Sequence, residues 1–190
     1  YLGLVPEGKE QLVADKLREV VAGNNYFLDF GLLGSKTVPA MLTKYGYIED
    51  AMKMITKTEA PSWGYWVETM GYSTLPETWT LSPKFADASL NHVFMGDVSA
   101  WMMNQLAGIN HDDSAPGFRH IRITPHFVKE LDWAKGEYHS VRGRIASEWK
   151  REGDQVMLTV TIPADCSADI VVGDQTETVS AGTHTFSYPV

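Results

Sequence analysis

Cysteine is nearly absent from this sequence, since Cys166 is the one thiol in 190 residues. A single thiol excludes an internal disulfide and any zinc site built from several thiolates. Long apolar runs are absent as well, because every apolar stretch is shorter than the roughly 18 residues that span a bilayer. Basic residues are in deficit, with 16 Lys and Arg against 24 Asp and Glu and a net charge of −8. We therefore expect neither a membrane nor a nucleic acid as a partner.

Motifs for several other chemistries are also missing. There is no G-x-S-x-G nucleophile elbow, which leaves Ser/His/Asp catalysis without support, and no Walker or G-x-G-x-x-G loop for phosphate. Residues 110–114 are rich in oxygen ligands but lack the alternation of a calcium-binding EF-hand loop, so we expect a solvated loop there. The sequence accordingly predicts no metal site and no cofactor. A small basic cluster, Arg119, His120 and Arg122, is expected on the exposed face of a strand.

The composition is that of an ordinary globular protein, with 44% apolar, 11% aromatic and 21% charged residues. The chain begins at Tyr1, without a methionine and without the charged and apolar regions of a signal peptide. We expect that processing or truncation has removed residues before Tyr1. The sequence leaves a periplasmic, an extracellular and a cytoplasmic location open.

The first part of the chain has helical periodicity. Apolar residues recur on one face of each of four segments, and glycine or proline follows each of them. The predicted helices cover residues 6–22, 37–44, 48–57 and 91–106, with Gly108 as the end of the last one. Three or four amphipathic helices with this many aromatic residues cannot easily enclose a core. The sequence therefore predicts further helices upstream of this chain.

The second part of the chain has the period of two that is typical of strands. Ile121 and Ile123 alternate with polar neighbours, and so do Val156 and the apolar residues that follow it. Further strands are predicted at residues 137–141, 144–150, 168–172, 176–179 and 183–188, separated by glycine-containing turns. This pattern predicts an antiparallel β-sandwich over residues 116–190, after a helical domain over residues 1–115. The predicted fold class is therefore α+β.

Between the helices, residues 59–90 form a long segment without a clear period, which is typical of a functional loop. The segment is rich in aromatic side chains, among them Trp63, Tyr72 and Trp79. Such rings stack on the C–H faces of sugars, while nearby carboxylates and imidazoles bind sugar hydroxyls. The same rings could instead pack the end of a helical bundle.

Two polar residues of this region are candidates for chemistry. Glu77 lies between Pro76 and Thr78, where proline restricts the backbone and a carboxylate can be aimed rather than left on a solvated helix. His92 precedes an apolar helical run, where a histidine is either a hydrogen-bonded structural residue or, with a suitable partner, an acid–base group.

The ordered motifs of the chain resemble those of bacterial α-L-rhamnosidases. The shared runs are P-S-W-G-Y at residues 61–65, G-Y-S-T-L-P-E-T-W at 71–79, S-L-N-H at 89–92, L-A-G-I at 106–109, F-R-H-I-R-I-T-P at 118–125 and G-R-I-A-S-E-W at 143–149. Their order and spacing agree with that family over nearly the whole chain. Two positions depart from the family pattern: Pro76 stands where a tryptophan is usual and Thr78 where an arginine is usual. These departures place the rim of the pocket, and hence the aglycone preference, in question.

The resemblance implies a specific architecture and mechanism. Residues 1–115 would be the last helices of an (α/α)6 toroid, followed by a C-terminal β-sandwich. The enzyme would be an inverting glycosidase in which Glu77 is the general base, while the general acid lies in the missing upstream part. His92 would bind the sugar or orient the base, and Trp63, Trp79 and Tyr72 would contact the substrate.

The function predicted from this resemblance is hydrolysis of terminal α-L-rhamnosyl residues from glycans or glycosides. The isolated chain is expected to be inactive, because its partner in catalysis is the missing N-terminal part of the same protein. Two alternatives remain open at this point. The chain could be a non-catalytic carbohydrate-binding module that acts through its sandwich, although its aromatic residues after Gly117 are scattered. It could also belong to an (α/α)6 glycosidase with another sugar preference.

Overall fold

A computed structural model describes residues 1–79 and 87–189 of the chain. The chain divides into two compact units, a helical unit over residues 1–100 and a sheet unit over residues 101–190. The boundary between these units falls inside the last helical run. The domain division predicted after residue 115 stays a prediction. The prediction of helices followed by a sheet-rich part is confirmed.

The helical unit opens with three helices: α1 (Glu10–Gly23), α2 (Leu32–Lys44) and α3 (Ile48–Thr56). The predicted start of the first helix at residue 6 is wrong by four residues. Gly8 has a φ of +76°, which interrupts helical geometry before Glu10. The second helix begins at Leu32 and not at residue 37, and it contains Gly34. A Cβ at Gly34 would lie 2.5 Å from the side chain of Phe30, which precedes the helix, so this glycine permits the close approach of Phe30.

A buried carboxylate connects the first and third helices. Asp50 on α3 is 5% exposed and forms an ion pair with Nε of Arg18 on α1, at 2.9 Å from its Oδ2. Its other oxygen accepts a hydrogen bond from the hydroxyl of Tyr26 at 2.8 Å. Both carboxylate oxygens therefore have partners, which a buried charge requires.

Much of the apolar surface of α1 remains exposed. Leu12, Val13 and Val20 are 64%, 48% and 54% exposed, whereas Ala14 and Val21 are buried. These exposed residues belong to the apolar face that the periodicity predicts. Within the described residues, that face therefore lacks the covering that an amphipathic helix normally has.

The last helical run joins three kinds of helix. A 3₁₀ turn at Val93–Gly96 leads into α4 (Asp97–Trp101), which continues as a π-helical turn at Met102–Leu106. Gly108 then adopts a φ of +79°, in agreement with its predicted role at the helix end. A Cβ at this position would lie 2.3 Å from the backbone nitrogen of Pro125. Gly108 is therefore required by its backbone conformation and by the close approach of Pro125.

Groups of the sheet unit cap the carbonyls at the end of this helical run. The indole Nε1 of the buried Trp149 donates to the carbonyl oxygen of Leu106 at 2.7 Å. The backbone N–H of His126 donates to Gln105 at 2.9 Å, and the side-chain amide of Asn110 donates to the Asn104 carbonyl oxygen at 2.9 Å. Terminal helix carbonyls have no partner within the helix. Three successive carbonyls thus receive their hydrogen bonds from residues outside the helix.

In its described residues the sheet unit forms one hydrogen-bonded network of six strands. They are β1 (Ile109–His111), β2 (His120–Ile123), β3 (Trp133–Ser140), β4 (Gly143–Glu152), β5 (Gln155–Val172) and β6 (Gln175–Pro189). The main path runs in the order β1-β2-β5-β4-β3, and β6 pairs with β5. The alternating residues Ile121, Ile123, Val156, Leu158 and Val160 are all fully buried, which confirms the period-two pattern.

Along one edge, the long strand β5 pairs with strands of two different groups. Its residues 155–161 pair with β4, and its residues 167–170 pair with β2, while β6 occupies the opposite edge. The register shifts between Ile162 and Ser167, and Asp165 has a φ of +57°. Such a bulge bends a strand and re-aims the side chains beyond it. It separates the β1–β2 group from the β3–β4 group.

One strand pair corrects the prediction of an antiparallel sheet. The pair β2–β5 is parallel, whereas the other pairs among the described strands are antiparallel. Parallel neighbours need a long crossover connection. The β3–β4 hairpin lies between β2 and β5 in sequence and supplies that connection. Local alternation along each strand carries no information about this pairing.

We expect Gly108→Ala to destabilise the sheet unit more than Gly153→Ala. Both glycines have positive φ, so each substitution costs roughly 1–2 kcal/mol in backbone strain. Only the Gly108 substitution also forces a Cβ to within 2.3 Å of Pro125, because Gly153 has open space around it. Urea unfolding of the two variants tests this difference. Equal losses would contradict the proposed close packing.

We also expect the stability of the sheet unit to depend on His126 in mild acid. Burial lowers the pKa of His126 below its ordinary value of 6.5, although its Nδ1 donates to the Gln105 carbonyl at 3.2 Å. The unfolded chain therefore takes up a proton first, so stability falls as pH drops below 6.5 and levels off below the folded pKa. His126→Asn retains a donor without titrating. It should lose less stability than the wild type between about pH 7.5 and about pH 5 in urea titrations.

Candidate active site

A tight turn at residues 61–65 positions the first aromatic residue of the candidate site. The buried hydroxyl of Ser62 donates to the carbonyl oxygens of Lys57 and Glu59 and accepts the N–H of Tyr65 at 3.0 Å. A Cβ at Gly64 would lie 2.5 Å from the Lys57 carbonyl oxygen. The local geometry of this turn therefore explains why residue 62 is a serine and residue 64 is a glycine. They hold the intervening Trp63 toward the interior.

Four aromatic rings from three segments meet behind this turn. Trp63 is 3% exposed, and its Nε1 donates to the Met95 carbonyl at 3.0 Å. Trp79 is half-buried. Its ring lies edge-on to Trp63 with centroids 5.1 Å apart, stacks on Trp66 at 4.5 Å and meets Phe30 at 6.1 Å. Trp63 is thus largely a packing residue within the described chain. Its contact with a sugar, like that of Trp79, stays a prediction.

Trp66 and Phe30 belong to this cluster but are not among the predicted site residues. Trp66 is 1% exposed, and the Phe30 carbonyl accepts the indole N–H of Trp79. A signal for Trp66 existed, because it follows Trp63 by three residues, the spacing of neighbours on one helical face. Phe30 carried no such signal, since it comes from a distant segment.

Glu77 and His92 lie on two backbone segments that hydrogen-bond to each other. The N–H of Glu77 donates to the Ser89 carbonyl at 2.8 Å, and the N–H of His92 donates to the Leu75 carbonyl at 2.8 Å. The Thr74 hydroxyl adds a bond to the Leu90 carbonyl at 2.7 Å. The structure therefore brings the two predicted catalytic segments side by side.

The Glu77 carboxylate is held by a backbone donor. Its Oε2 accepts the N–H of Ser89 at 3.1 Å, and the residue is only partly exposed. Within residues 1–79 and 87–189, the structure records no ion pair of Glu77. The carboxylate is thus oriented by a neutral donor, and its other oxygen can accept a proton from water.

The hydrogen bond at His92 defines which ring nitrogen carries the proton. Its Nδ1 accepts the N–H of Phe94 at 3.3 Å, as a cap of the 3₁₀ turn. In the neutral imidazole the proton then resides on Nε2, which is a donor. His92 is partly exposed. It can therefore donate to a ligand hydroxyl while its backbone stays tied to Leu75.

A cavity of about 230 Å³ lies against the same two segments. It is lined by Gly71, Tyr72, Ser73, Thr74, Pro76 and Leu90. Of the five predicted site residues, Tyr72 lines this cavity, whereas Glu77, His92, Trp63 and Trp79 are not among its lining residues. Residues 80–86, which belong to the predicted functional loop of residues 59–90, lie outside the described residues.

The described residues contain neither a metal-binding cluster nor a membrane-spanning helix. Outside residues 80–86 and 190, no group of three or more His, Cys, Asp or Glu side chains is arranged to hold a metal ion. No helix in the described part of the chain is long and apolar enough to cross a membrane.

The helical part and the sheet-rich C-terminal part each match a domain of one class of glycosidase. Residues 1–106 match the family profile described as the bacterial α-L-rhamnosidase six-hairpin glycosidase domain, and residues 108–187 match the C-terminal domain of the same enzymes. The chain therefore belongs to the bacterial α-L-rhamnosidase family.

Individual relatives agree with this assignment. An α-L-rhamnosidase of Streptomyces avermitilis is 27% identical over 175 residues, which cover 89% of this chain and 17% of the relative. The structure of an α-L-rhamnosidase from Dictyoglumus thermophilum has a TM-score of 0.87 and 27% identity, and the match covers 100% of this chain and 24% of that one. A Streptomyces avermitilis α-L-rhamnosidase complexed with L-rhamnose has a TM-score of 0.87 at 24% identity, covering 97% and 20%. The chain thus spans about a fifth of the length of these relatives.

We expect Trp63→Phe to destabilise the helical unit, because the change removes the indole N–H and part of a buried ring. Removal of the indole N–H leaves the Met95 carbonyl without its donor, which costs about 1–3 kcal/mol when the carbonyl stays buried. Trp133→Phe is the matched control, since Trp133 is 60% exposed and its substitution should change stability by less than about 0.5 kcal/mol. Urea unfolding of both variants tests the prediction, and similar effects at the two sites would refute it.

Proposed function

We propose that this chain supplies the general base and part of the sugar site of an inverting α-L-rhamnosidase. The pairing of the Glu77 and His92 segments, within a chain that matches both family profiles in order, carries the proposal. The substrates are glycans or glycosides with a terminal α-L-rhamnosyl residue. The names of the relatives support this sugar over the alternative of another sugar preference.

In this mechanism Glu77 removes a proton from the water that attacks the anomeric carbon. A carboxylic acid on the other side of the sugar, roughly 6.5–9.5 Å away, protonates the leaving oxygen. The hydrogen bond from Ser89 fixes one oxygen of Glu77. The other oxygen remains to accept the proton of the water. One oxygen therefore orients the carboxylate, and the other acts as the base.

The remaining candidate residues bind the substrate. His92 donates from Nε2 to a sugar hydroxyl, because its Nδ1 is already an acceptor. Tyr72 lines the cavity beside Glu77 and presents an aromatic wall. The partly buried ring of Trp79 contacts the sugar, while Trp63 and Trp66 pack against that ring.

The rest of the same protein completes both the fold and the catalytic pair. The exposed apolar residues of α1 form the surface that further toroid helices would cover. The general acid also comes from that part, and general acid catalysis is commonly worth about 10²–10⁴-fold. The isolated chain should therefore be inactive toward aryl rhamnosides.

The alternative of a carbohydrate-binding module has less support from the sheet unit. Trp149 and Tyr188 are 0% and 4% exposed, and Phe127 packs against both rings. Aromatic residues that bind sugars need an accessible face. These three rings instead form part of the core of the sheet unit.

In the full-length protein, Glu77→Gln should lower kcat by about 10²–10⁴-fold. Substrate binding should remain, because the amide retains the shape and the acceptor oxygen for Ser89. Glu68→Gln is the matched control, since Glu68 is an exposed glutamate of the same segment and should leave kcat unchanged. Steady-state kinetics with an aryl α-L-rhamnoside measure both variants. Normal turnover by the Glu77 variant would rule out the general-base role.

A further inference from the structure

A serine, a histidine and an aspartate form a hydrogen-bonded row on one face of the sheet unit. Nδ1 of His120 lies 2.7 Å from the Ser167 hydroxyl oxygen, and Nε2 of His120 lies 3.0 Å from Oδ2 of Asp169. The parallel register places His120 opposite Ser167 and Arg122 opposite Asp169. None of these residues belongs to the candidate glycosidase site in the helical unit.

The chemistry of the three groups determines which atom donates and which accepts in each hydrogen bond. Ionised Asp169 can only accept, so Nε2 of neutral His120 carries the proton and Nδ1 accepts the O–H of Ser167. Hydrogen bonds from Thr178 and His120 hold the pKa of Asp169 below its ordinary value, and Arg122 acts in the same direction. The row therefore runs from a serine O–H through a basic imidazole nitrogen to a carboxylate, which is the arrangement that activates a serine.

The backbone positions the serine firmly. Ser167 is the first residue that regains register after the β5 bulge, and its N–H donates to the Arg119 carbonyl at 3.1 Å. The side chains of His120 and Asp169 are 22% and 30% exposed, and Ser167 is partly exposed. The row is thus ordered by the sheet and reachable from solvent.

The geometry points to Ser167 as a nucleophile, activated by His120 and Asp169, that reacts with small unhindered acyl esters. The serine oxygen forms a bond to the ester carbonyl carbon while its proton passes to Nδ1 of His120. Collapse of the tetrahedral intermediate breaks the bond to the alkoxy group, which takes that proton and leaves as an alcohol. Water then attacks the acyl-serine with His120 again as base, and the carboxylic acid and free Ser167 result.

Asp169 stabilises the imidazolium that forms in each half of this reaction, as the carboxylate of such a row does. Arg122 lies opposite Asp169 and adds positive charge at the carboxylate end of the row. The proposed activity is limited to small acyl groups such as acetyl. It is independent of Glu77 and of the proposed glycosidase reaction.

A fluorophosphonate probe tests this site on the full 190-residue chain. We expect phosphonylation of Ser167, located by peptide mass spectrometry, to be at least about tenfold faster than that of Ser180, which lies opposite it on β6. His120→Gln should slow the labelling by about 10²–10⁴-fold, the usual worth of a general base. The control is Ser180→Ala. In this variant the probe should label Ser167 at the wild-type rate.

Hydrolysis of p-nitrophenyl acetate provides a second measurement. The wild type should turn over this ester, Ser167→Ala should lose the activity, and Asp169→Asn should retain a reduced rate with normal near-ultraviolet circular dichroism. Absence of labelling at Ser167 in the folded wild type would overturn the proposal. Equal ester turnover by wild type and Ser167→Ala would overturn it as well, and the row would then be a brace between β2 and β5.

Discussion

The capping of the last helical run is the interaction on which the sheet unit depends. Trp149, His126 and Asn110 donate to three successive carbonyls at the helix end. The Leu106 carbonyl is buried, and leaving a buried carbonyl unpaired costs about 1–3 kcal/mol. Trp149 and His126 are distant from the helix end in sequence, whereas Asn110 follows it closely. The helix end and the strands must therefore be ordered together, with Gly108 as the turn that allows it.

A similar constraint governs the candidate active site. Glu77 and His92 lie in irregular segments, where a side chain would ordinarily be free to reorient. Backbone hydrogen bonds between residues 74–77 and 89–92 fix both segments, and the aromatic cluster supports Trp79 from behind. Catalytic groups need this preorganisation, because small displacements of a base reduce its rate advantage. The site thus depends on two levels of structure, the pairing of the segments and the packing behind them.

The sheet unit shows that a fold can place reactive groups together without a sequence motif. His120 is separated from Ser167 and Asp169 by the whole β3–β4 hairpin, and the parallel pairing of β2 with β5 brings them into one row. The sequence contains no nucleophile elbow, which is a local motif. Its absence carries no information about residues that a crossover connection brings together.

The sequence by itself determined the class of the protein, the third helix, the alternating strand cores and the identity of Glu77 and His92 as candidates. These follow from local periodicity and from ordered motifs, which need no knowledge of distant contacts. Tertiary structure alone decided the parallel strand pair, the burial of Trp63 and the inclusion of Phe30 in the aromatic cluster. Each of these depends on which distant segments approach one another, and that is a consequence of packing that no local pattern encodes.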